Sequence, residues 1–198
     1  MKKILTVIAL CAPLFALAQI EKGKTFISGT LQLENYSNGG DGYNTKTTSF
    51  AIGASVGRLL TDRFAIGITP VVQTNVSTTT GDFKTHETQV NIGAFGRYYF
   101  PVGERFYFHL DGGVDLGFVK SRTENAGGTL ISESEGKEYR IGVRPGASYF
   151  LTDKVALQAF IGDVSFQSII DSDVDNKPGI FTFKFDITSI AFGASVYF

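Results

Sequence analysis

The chain has 198 residues, of which 43% are hydrophobic, and its 18 basic and 19 acidic side chains give a formal net charge of −1. This length fits one domain, and the lack of a basic patch or stripe argues against nucleic-acid binding. Cys11 is the only cysteine, so no intrachain disulfide or cysteine-based metal site can form.

The chain begins with the layout of a secretory signal peptide. Two lysines follow the first methionine, residues 4–17 are almost wholly apolar, and Ala16 and Ala18 put small residues at the cleavage positions. We therefore expect residues 1–18 to be removed after Ala18. The remaining domain, residues 19–198, carries 16 basic and 19 acidic side chains, a net charge of −3.

Two other interpretations of this segment are disfavoured. A membrane anchor would need about 20 apolar residues to span the ~30 Å hydrocarbon core, and the run from 4 to 17 is shorter and contains Pro13. Lipidation at Cys11 would need a small residue before it, and Leu10 stands there.

After the signal no apolar run is long enough for a membrane helix, and the pattern is alternation instead. In residues 105–118 the even positions are apolar or glycine, whereas the odd positions carry charge, polar groups and glycine. Successive residues of a strand point to opposite faces, so one face is apolar and the other polar. The run suits a tilted membrane strand of about 9–11 residues. Similar alternation occurs in residues 49–56, 64–73, 89–97, 138–144 and 189–198.

One strand is less regular than the others. In the strand that begins at Val155, Asp163 falls on the apolar face. A β-bulge before Asp163 would restore the phase, because one extra residue exchanges the two faces.

The connections between these strands alternate strictly in length. Three are tight turns: 61–63, 101–104 and 152–154. Four are longer and polar: roughly 37–46, 77–87, 122–136 and 171–181. Short turns at one end and long loops at the other are typical of outer-membrane barrels. The sequence therefore predicts an all-β protein, an eight-stranded antiparallel up-and-down transmembrane β-barrel, with 122–136 as a mobile surface loop.

Aromatic residues collect where the strands meet the short turns, as in a membrane-interface girdle. The girdle comprises residues 98–100, 149–150 and 197–198. With this pattern and a C-terminal strand ending in Phe198, the sequence resembles the small eight-stranded outer-membrane barrels of the OmpA/OmpX type. The resemblance implies that the barrel-assembly machinery reads Phe198, and that the barrel stands alone without a periplasmic peptidoglycan-binding domain.

A soluble lipocalin-like barrel would turn its apolar face inward. The charged residues of the other face would then lie in water and the apolar ones in the core, so alternation alone does not choose. The signal peptide, the aromatic level and the charges packed among glycines favour the membrane barrel, in which these charges line a polar interior. The predicted interior network comprises Arg105, His109, Asp111, Asp115, Glu138, Arg140 and Arg144.

The two aspartates of this network lie on one strand, and Arg140 and Arg144 on the next, so cross-strand ion pairs are expected. They could line an ion-selective pore or form a structural plug. An eight-stranded barrel has an interior that side chains just fill, which favours the plug.

Other candidate sites have weaker support. His86 lies near Ser77 in a predicted loop, and His109 faces inward, but no motif supports a nucleophile–base pair, so we predict no enzyme. The acidic run with Asp171, Asp173 and Asp175 resembles the start of a calcium loop, but lacks the glycine and glutamate that such loops need. We expect no cofactor.

The predicted function is a structural or surface-interaction barrel, since binding residues tend to lie on loops held by a rigid scaffold. The alternatives are a narrow porin-like channel for small solutes or ions and, with less support, an outer-membrane lipid hydrolase. Expected partners are outer-membrane lipid, lipopolysaccharide and the barrel-assembly machinery. The sequence identifies no extracellular ligand and gives no sign of oligomerisation, so a monomer is expected.

Overall fold

The structure, a computed structural model, describes residues 20–40, 43–81, 83–171 and 180–198. In these ranges eight antiparallel strands, each paired with its sequence neighbours, close into one barrel, as predicted. The strands are β1 Thr25–Gly40, β2 Tyr43–Leu59, β3 Phe64–Thr79, β4 Phe83–Pro101, β5 Phe106–Glu124, β6 Leu130–Phe150, β7 Val155–Asp171 and β8 Ile180–Tyr197. The predicted signal peptide lies outside the described residues.

Within those ranges, no helix is long and apolar enough to cross a membrane.

The apolar face of the wall points outward. On β5, Phe108, Leu110 and Val114 are exposed on the outer surface, whereas His109 and Asp111 between them are buried inside. The other strands follow the same rule, with most large apolar side chains exposed. A barrel in water would reverse this arrangement, because apolar surface is stable only where it is removed from water. The outer face therefore fits the hydrocarbon core of a bilayer.

The three predicted tight turns are confirmed, and two of them have the same internal hydrogen bonds. Thr61 follows β2, and its hydroxyl accepts a hydrogen bond from the amide of Phe64 at 3.0 Å. Thr152 follows β6 in the same way, accepting from the amide of Val155 at 3.1 Å. A threonine at the first turn position satisfies an amide that would otherwise lack a partner. These turns lie at the end of the barrel that also holds the C-terminus.

The predicted extent of three of the four long loops is wrong, and the fourth, 171–181, lies largely outside the described residues. Backbone pairing continues to Gly40 opposite Tyr43 in the first hairpin, which β1 and β2 form. In the β5–β6 hairpin, the third at the end of the barrel opposite the tight turns, pairing continues to Glu124 opposite Leu130. Residues 122–136 are therefore not a mobile loop but two paired strand ends and a short turn. These segments are rich in threonine and serine, and hydroxyl and β-branched side chains suit a solvated two-stranded ladder.

The turn of the third hairpin depends on Asn125. Its side-chain oxygen accepts hydrogen bonds from the amides of Gly127 at 3.0 Å and Thr129 at 2.9 Å. Gly128 has a φ of 76°, a left-handed conformation that glycine adopts without a steric penalty.

The predicted irregularity in β7 is present. The pairing with β8 shifts between Ile161 and Asp163, and Gly162 between them has a φ of 66°. The shift turns Asp163 to the interior, where it lines the central cavity and accepts a hydrogen bond from the Ser165 hydroxyl at 2.8 Å. Without it, a carboxylate would face the lipid.

Pairing of β1 with β8 closes the barrel. Thr25 and Phe198 exchange two backbone hydrogen bonds, each of 2.9 Å. The final residue therefore takes part in closing the wall, and its side chain lies on the outer face.

Candidate functional site

An aromatic layer fills the interior at the end with the short turns. It comprises Phe26, Tyr99, Tyr107, Phe150 and Tyr197, all at most 9% exposed. The hydroxyl oxygens of Tyr99 and Tyr197 are 3.0 Å apart, a hydrogen bond across the lumen. The predicted girdle is therefore only half correct. Tyr98, Phe100, Tyr149 and Phe198 face outward, whereas their sequence neighbours point inward and block the lumen.

The N-terminal segment adds to this closure. Ile20 is buried against the aromatic layer, and the next residues are held by the β2–β3 turn. Gly23 donates to the Leu59 carbonyl at 2.8 Å, and Lys22 donates to Asp62 at 2.8 Å. Segment and layer together close the barrel at this end.

Directly above the layer, Arg97 forms a two-point ion pair with Asp111. Arg97 Nε lies 2.6 Å from Oδ1 and Nη2 lies 2.8 Å from Oδ2 of the carboxylate. Arg97 is 2% exposed. Two parallel charge-assisted hydrogen bonds are the geometry in which a guanidinium compensates best for lost solvation.

Aromatic rings complete the surroundings of this guanidinium. Its central carbon lies 5.4–5.7 Å from the ring centroids of Phe26, Phe95, Tyr99 and Phe160, within cation–π range. The face of a ring partly replaces water as a partner for a cation. Phe26 and Tyr99 belong to the aromatic layer, so the layer both closes the lumen and helps to solvate the charge above it.

A second ion pair lies closer to the middle of the barrel. Arg140 Nε and Nη2 each lie 3.0 Å from Asp115 Oδ2. Glu138, one position before Tyr139 on β6, accepts a hydrogen bond from Gln89 at 3.0 Å. The side chain of Arg140 is 38% exposed, so water reaches this pair in a way that it does not reach Arg97.

The other predicted members lie in different surroundings. Arg144 stands 4.0 Å from Asp111 and stacks at 4.1 Å on the ring of Phe160. His109 is buried, and its Nδ1 lies 3.4 Å from Asp111. Arg105 does not join the network, because β5 begins after it. It lies at the turn, 3.4 Å from the Leu151 carbonyl.

Sequence reasoning missed the main partner of Asp111. It paired Asp111 and Asp115 with the arginines of β6, and Arg144 does lie opposite Asp111 there. Arg97, however, lies opposite Asp111 on β4 and makes the closer contact. The available signal was the alternation, which places Arg97 on the polar face with Asn91. Alternation gives the face on which a residue lies but not the residue opposite it on the neighbouring strand. It therefore could not show whether an arginine of β4 or of β6 is the main partner of Asp111.

Above the first ion pair lies a polar cavity of about 170 Å³. This is enough room for several water molecules. Among the described side chains, six inward carboxylates face three guanidiniums. The carboxylates belong to Glu34, Glu87, Asp111, Asp115, Glu138 and Asp163, and the guanidiniums to Arg97, Arg140 and Arg144. The described side chains of the upper lumen are therefore polar and carry a net negative charge.

The candidate catalytic residues do not come together, and the candidate metal ligands lie outside what the structure describes. Ser77 bonds to Thr47 at 2.9 Å on the inner face, whereas His86, opposite Val76, points to the outer face. Within the described residues no cluster of histidine, cysteine and carboxylate side chains could hold a metal ion. Asp173 and Asp175 lie outside the described residues, as does the side chain of Asp171.

An apolar outer face, a polar interior and a closed eight-stranded wall define an integral membrane β-barrel. The chain belongs to the outer membrane protein beta-barrel domain family, whose model matches residues 4–198. Its place in the cell is accordingly the outer membrane. Among curated proteins, no relative matches the chain.

Solved structures with the same fold include two small outer-membrane proteins. Neisserial surface protein A is 20% identical, with a TM-score of 0.52 over 89% of this chain and 98% of that one. The outer membrane protein OprG from Pseudomonas aeruginosa is 13% identical, with a TM-score of 0.54 over 92% of this chain and 99% of that one. At these identities the likeness establishes the fold alone.

Proposed function

We propose that the protein is a non-conducting scaffold, which holds extended β-hairpins above the outer membrane as a surface for interaction. The observation that carries this proposal is the closed lumen. At the end with the short turns, the aromatic layer and the buried Arg97–Asp111 pair leave the guanidinium 2% exposed. A guanidinium in a conducting pathway would be hydrated.

The length of the strands beyond the apolar belt supports the proposal that the hairpins form a surface for interaction. On β6 the outward apolar residues run from Tyr139 to Tyr149, which is about the span a membrane strand needs. The preceding part of β6, from Leu130 to Gly136, carries outward glutamates and extends beyond the belt. These hairpins therefore stand in water at the end of the barrel opposite the three tight turns.

Side-chain hydrogen bonds connect adjacent strands in this upper region. Asn75 on β3 donates to Glu87 on β4 at 2.7 Å, and the Thr85 and Thr123 hydroxyls on β4 and β5 are 3.1 Å apart. Such links continue the wall above the membrane. Groups on neighbouring hairpins are thereby held in fixed positions, as binding residues on a rigid scaffold are.

Conductance of the refolded chain in a planar bilayer tests the closed lumen. The wild type is expected to give no steady current, and the double variant Phe26→Ala/Tyr197→Ala, which removes two rings of the layer, is expected to conduct. Phe192→Ala is the matched control, because that ring is exposed on the outer face. Steady current through the wild type would refute the scaffold proposal.

Accessibility of the hairpins tests their place at the cell surface. The chain has no cysteine after Cys11, so single cysteines can be introduced at Thr80 and Ser132 without background. A membrane-impermeant thiol reagent should label both in intact cells, and should not label a cysteine placed at Asp153 in a short turn. The reverse pattern would show that the barrel has the opposite orientation.

A narrow channel is the second candidate, and the anionic upper lumen favours it. Six inward carboxylates against three guanidiniums would attract small cations to the cavity. Conduction would require the aromatic layer to open. Cation-selective current in the wild type, lost when Asp115 is replaced by asparagine, would favour this candidate.

Export and assembly belong to the same proposal. Residues 1–18 direct the chain to the export machinery and are removed after Ala18, and the barrel-assembly machinery reads the strand that ends in Phe198. Mass spectrometry of the outer-membrane form tests the cleavage. A mature chain that begins at Gln19 supports it.

A further inference from the structure

We propose that the outer face of β4–β6, just above the apolar belt, binds the phosphorylated headgroup of an outer-leaflet lipid. An outward groove lies there, and its lining combines cationic with apolar side chains. It includes His86, Val90, Phe118, Lys120, Arg122 and Lys137.

The register of the three strands brings these side chains together. Phe118 lies opposite Val90 on one side and Lys137 on the other. Two residues further up β5, Lys120 occupies the next outward position, and Arg122 the one above it. The outer surface therefore changes from apolar to cationic between Phe118 and Lys120, two consecutive outward positions on β5. A lipid with its acyl chains against the apolar part and its phosphate against the cations would match this boundary.

The cations of this groove exceed its carboxylates. Lys120 Nζ lies 2.7 Å from Glu133 and 3.0 Å from Glu135, and Arg122 Nε lies 3.2 Å from Glu133. Lys137 makes no ion pair within the described part of the chain. Three cations against two carboxylates leave one positive charge. The glutamates fix the positions of Lys120 and Arg122 through these ion pairs. Lys137 is available to bind an anion.

In the two rows of outward side chains that pass through His86 and Thr88, the described charges lie on β5 and β6. Residues that lie opposite one another on neighbouring strands form rows around the barrel. The row through His86 continues to Val76 on β3 and Thr48 on β2, and the row through Thr88 continues to Thr74 on β3. These outward side chains are neutral. The outward lysine on β2, Lys46, lies one row higher, opposite Thr78, so at the level of the groove the described cations lie at the groove itself.

Charge and apolar surface together select a lipid as the occupant. A phosphate gains charge-assisted hydrogen bonds from lysine and arginine, and basic pockets beside membrane segments are suited to lipid headgroups. A soluble anion would leave Val90 and Phe118 unused. A lipid with phosphate and acyl chains satisfies both halves of the groove.

The test uses the full mature chain refolded in detergent, with native mass spectrometry to count bound lipid. The probes are diphosphorylated lipid A and the same lipid without its phosphates. Wild type should retain the phosphorylated form preferentially. Lys137→Gln should weaken its retention about tenfold, the loss of one charge-assisted hydrogen bond.

Matched variants make this test specific. Lys46→Gln removes an outward lysine from β2, away from the groove, and should retain lipid like the wild type. Phe118→Ala should weaken lipid retention, whereas Phe192→Ala, an exposed ring on β8, should not. Heat-modifiable migration on a detergent gel checks that each variant is folded.

Three outcomes would overturn the proposal. They are equal retention of the two lipid forms, equal loss in Lys137→Gln and Lys46→Gln, and complete displacement of the lipid by millimolar inorganic phosphate. The last outcome would identify an anion site without preference for lipid.

Discussion

Arg97 on β4 and Asp111 on β5 are joined by two hydrogen bonds inside the barrel, of 2.6 and 2.8 Å, and both side chains are less than a tenth exposed. The aromatic layer lies on one side of this pair and the polar cavity on the other. The pair is thus the boundary between the closed and the hydrated parts of the lumen. Its burial makes each partner dependent on the other.

Removing the arginine should destabilise the barrel strongly. In Arg97→Ala the carboxylate of Asp111 stays buried without its main partner, a loss that costs about 3–5 kcal/mol. The denaturant midpoint of the refolded barrel in detergent measures this. Arg140→Ala is the control, since that pair is partly solvated, and its cost should be about 1 kcal/mol or less.

The double variant Arg97→Met/Asp111→Leu separates the charge effect from simple loss of packing. Apolar replacement of a buried pair is often neutral or stabilising, so the double variant should recover most of the lost stability. Equal midpoints for Arg97→Ala and Arg140→Ala would contradict the prediction.

Gly146 should be intolerant of a side chain. A Cβ atom at this position would overlap the ring of His109 and lie 2.8 Å from the Ala159 carbonyl oxygen. Overpacking of this kind costs about 1–3 kcal/mol, so Gly146→Ala should lower the denaturant midpoint. Gly29→Ala is the control, because no atom lies within 4 Å of a Cβ there. If both variants unfold at the same midpoint, the interior near His109 is not tightly packed.

The sequence predicted the barrel well because alternation and turn length are local signals. Eight strands, three tight turns and the displaced Asp163 all follow from the order of residues along single strands. The partner of Asp111 does not, because it depends on the register between strands. The same limit applies to Tyr99 and Tyr197, whose contact joins strands that are distant in sequence.

Three of the loops were predicted too long for a different reason. Polar runs such as 122–136 lack an apolar face, and alternation of apolar and polar residues was the signal for a strand. A hairpin above the membrane has water on its outer face, so its strands need no apolar residues. Pairing and the Asn125 turn hold it instead.

Deleting Phe198 should impair insertion into the outer membrane while leaving export intact. The deletion removes an aromatic ring that is 62% exposed on the outer face, together with the two backbone hydrogen bonds to Thr25 that close the wall. The amount of protease-protected barrel in outer-membrane fractions measures insertion. Phe192→Ala removes a similarly exposed ring from the same strand and should insert normally. Normal insertion of the truncated chain would show that the last residue is not an assembly signal.

The third hairpin should loosen in acid, because its strand ends are joined by ion pairs. Hydrogen bonds from Lys120 and Arg122 lower the pKa of Glu133. A carboxyl whose pKa is lower in the folded state adds stability above its unfolded pKa, and this contribution is lost as pH falls through the folded value. Amide protection factors at the hairpin, corrected for intrinsic exchange, should therefore fall in acid. The effect should be small and should shrink at high salt, because exposed pairs are weak and screened.

In Glu133→Gln the protection should be lower at neutral pH and change less on acidification. Wild-type protection that stays constant down to strongly acid pH would show that backbone pairing and the Asn125 turn hold the hairpin without help from its charges.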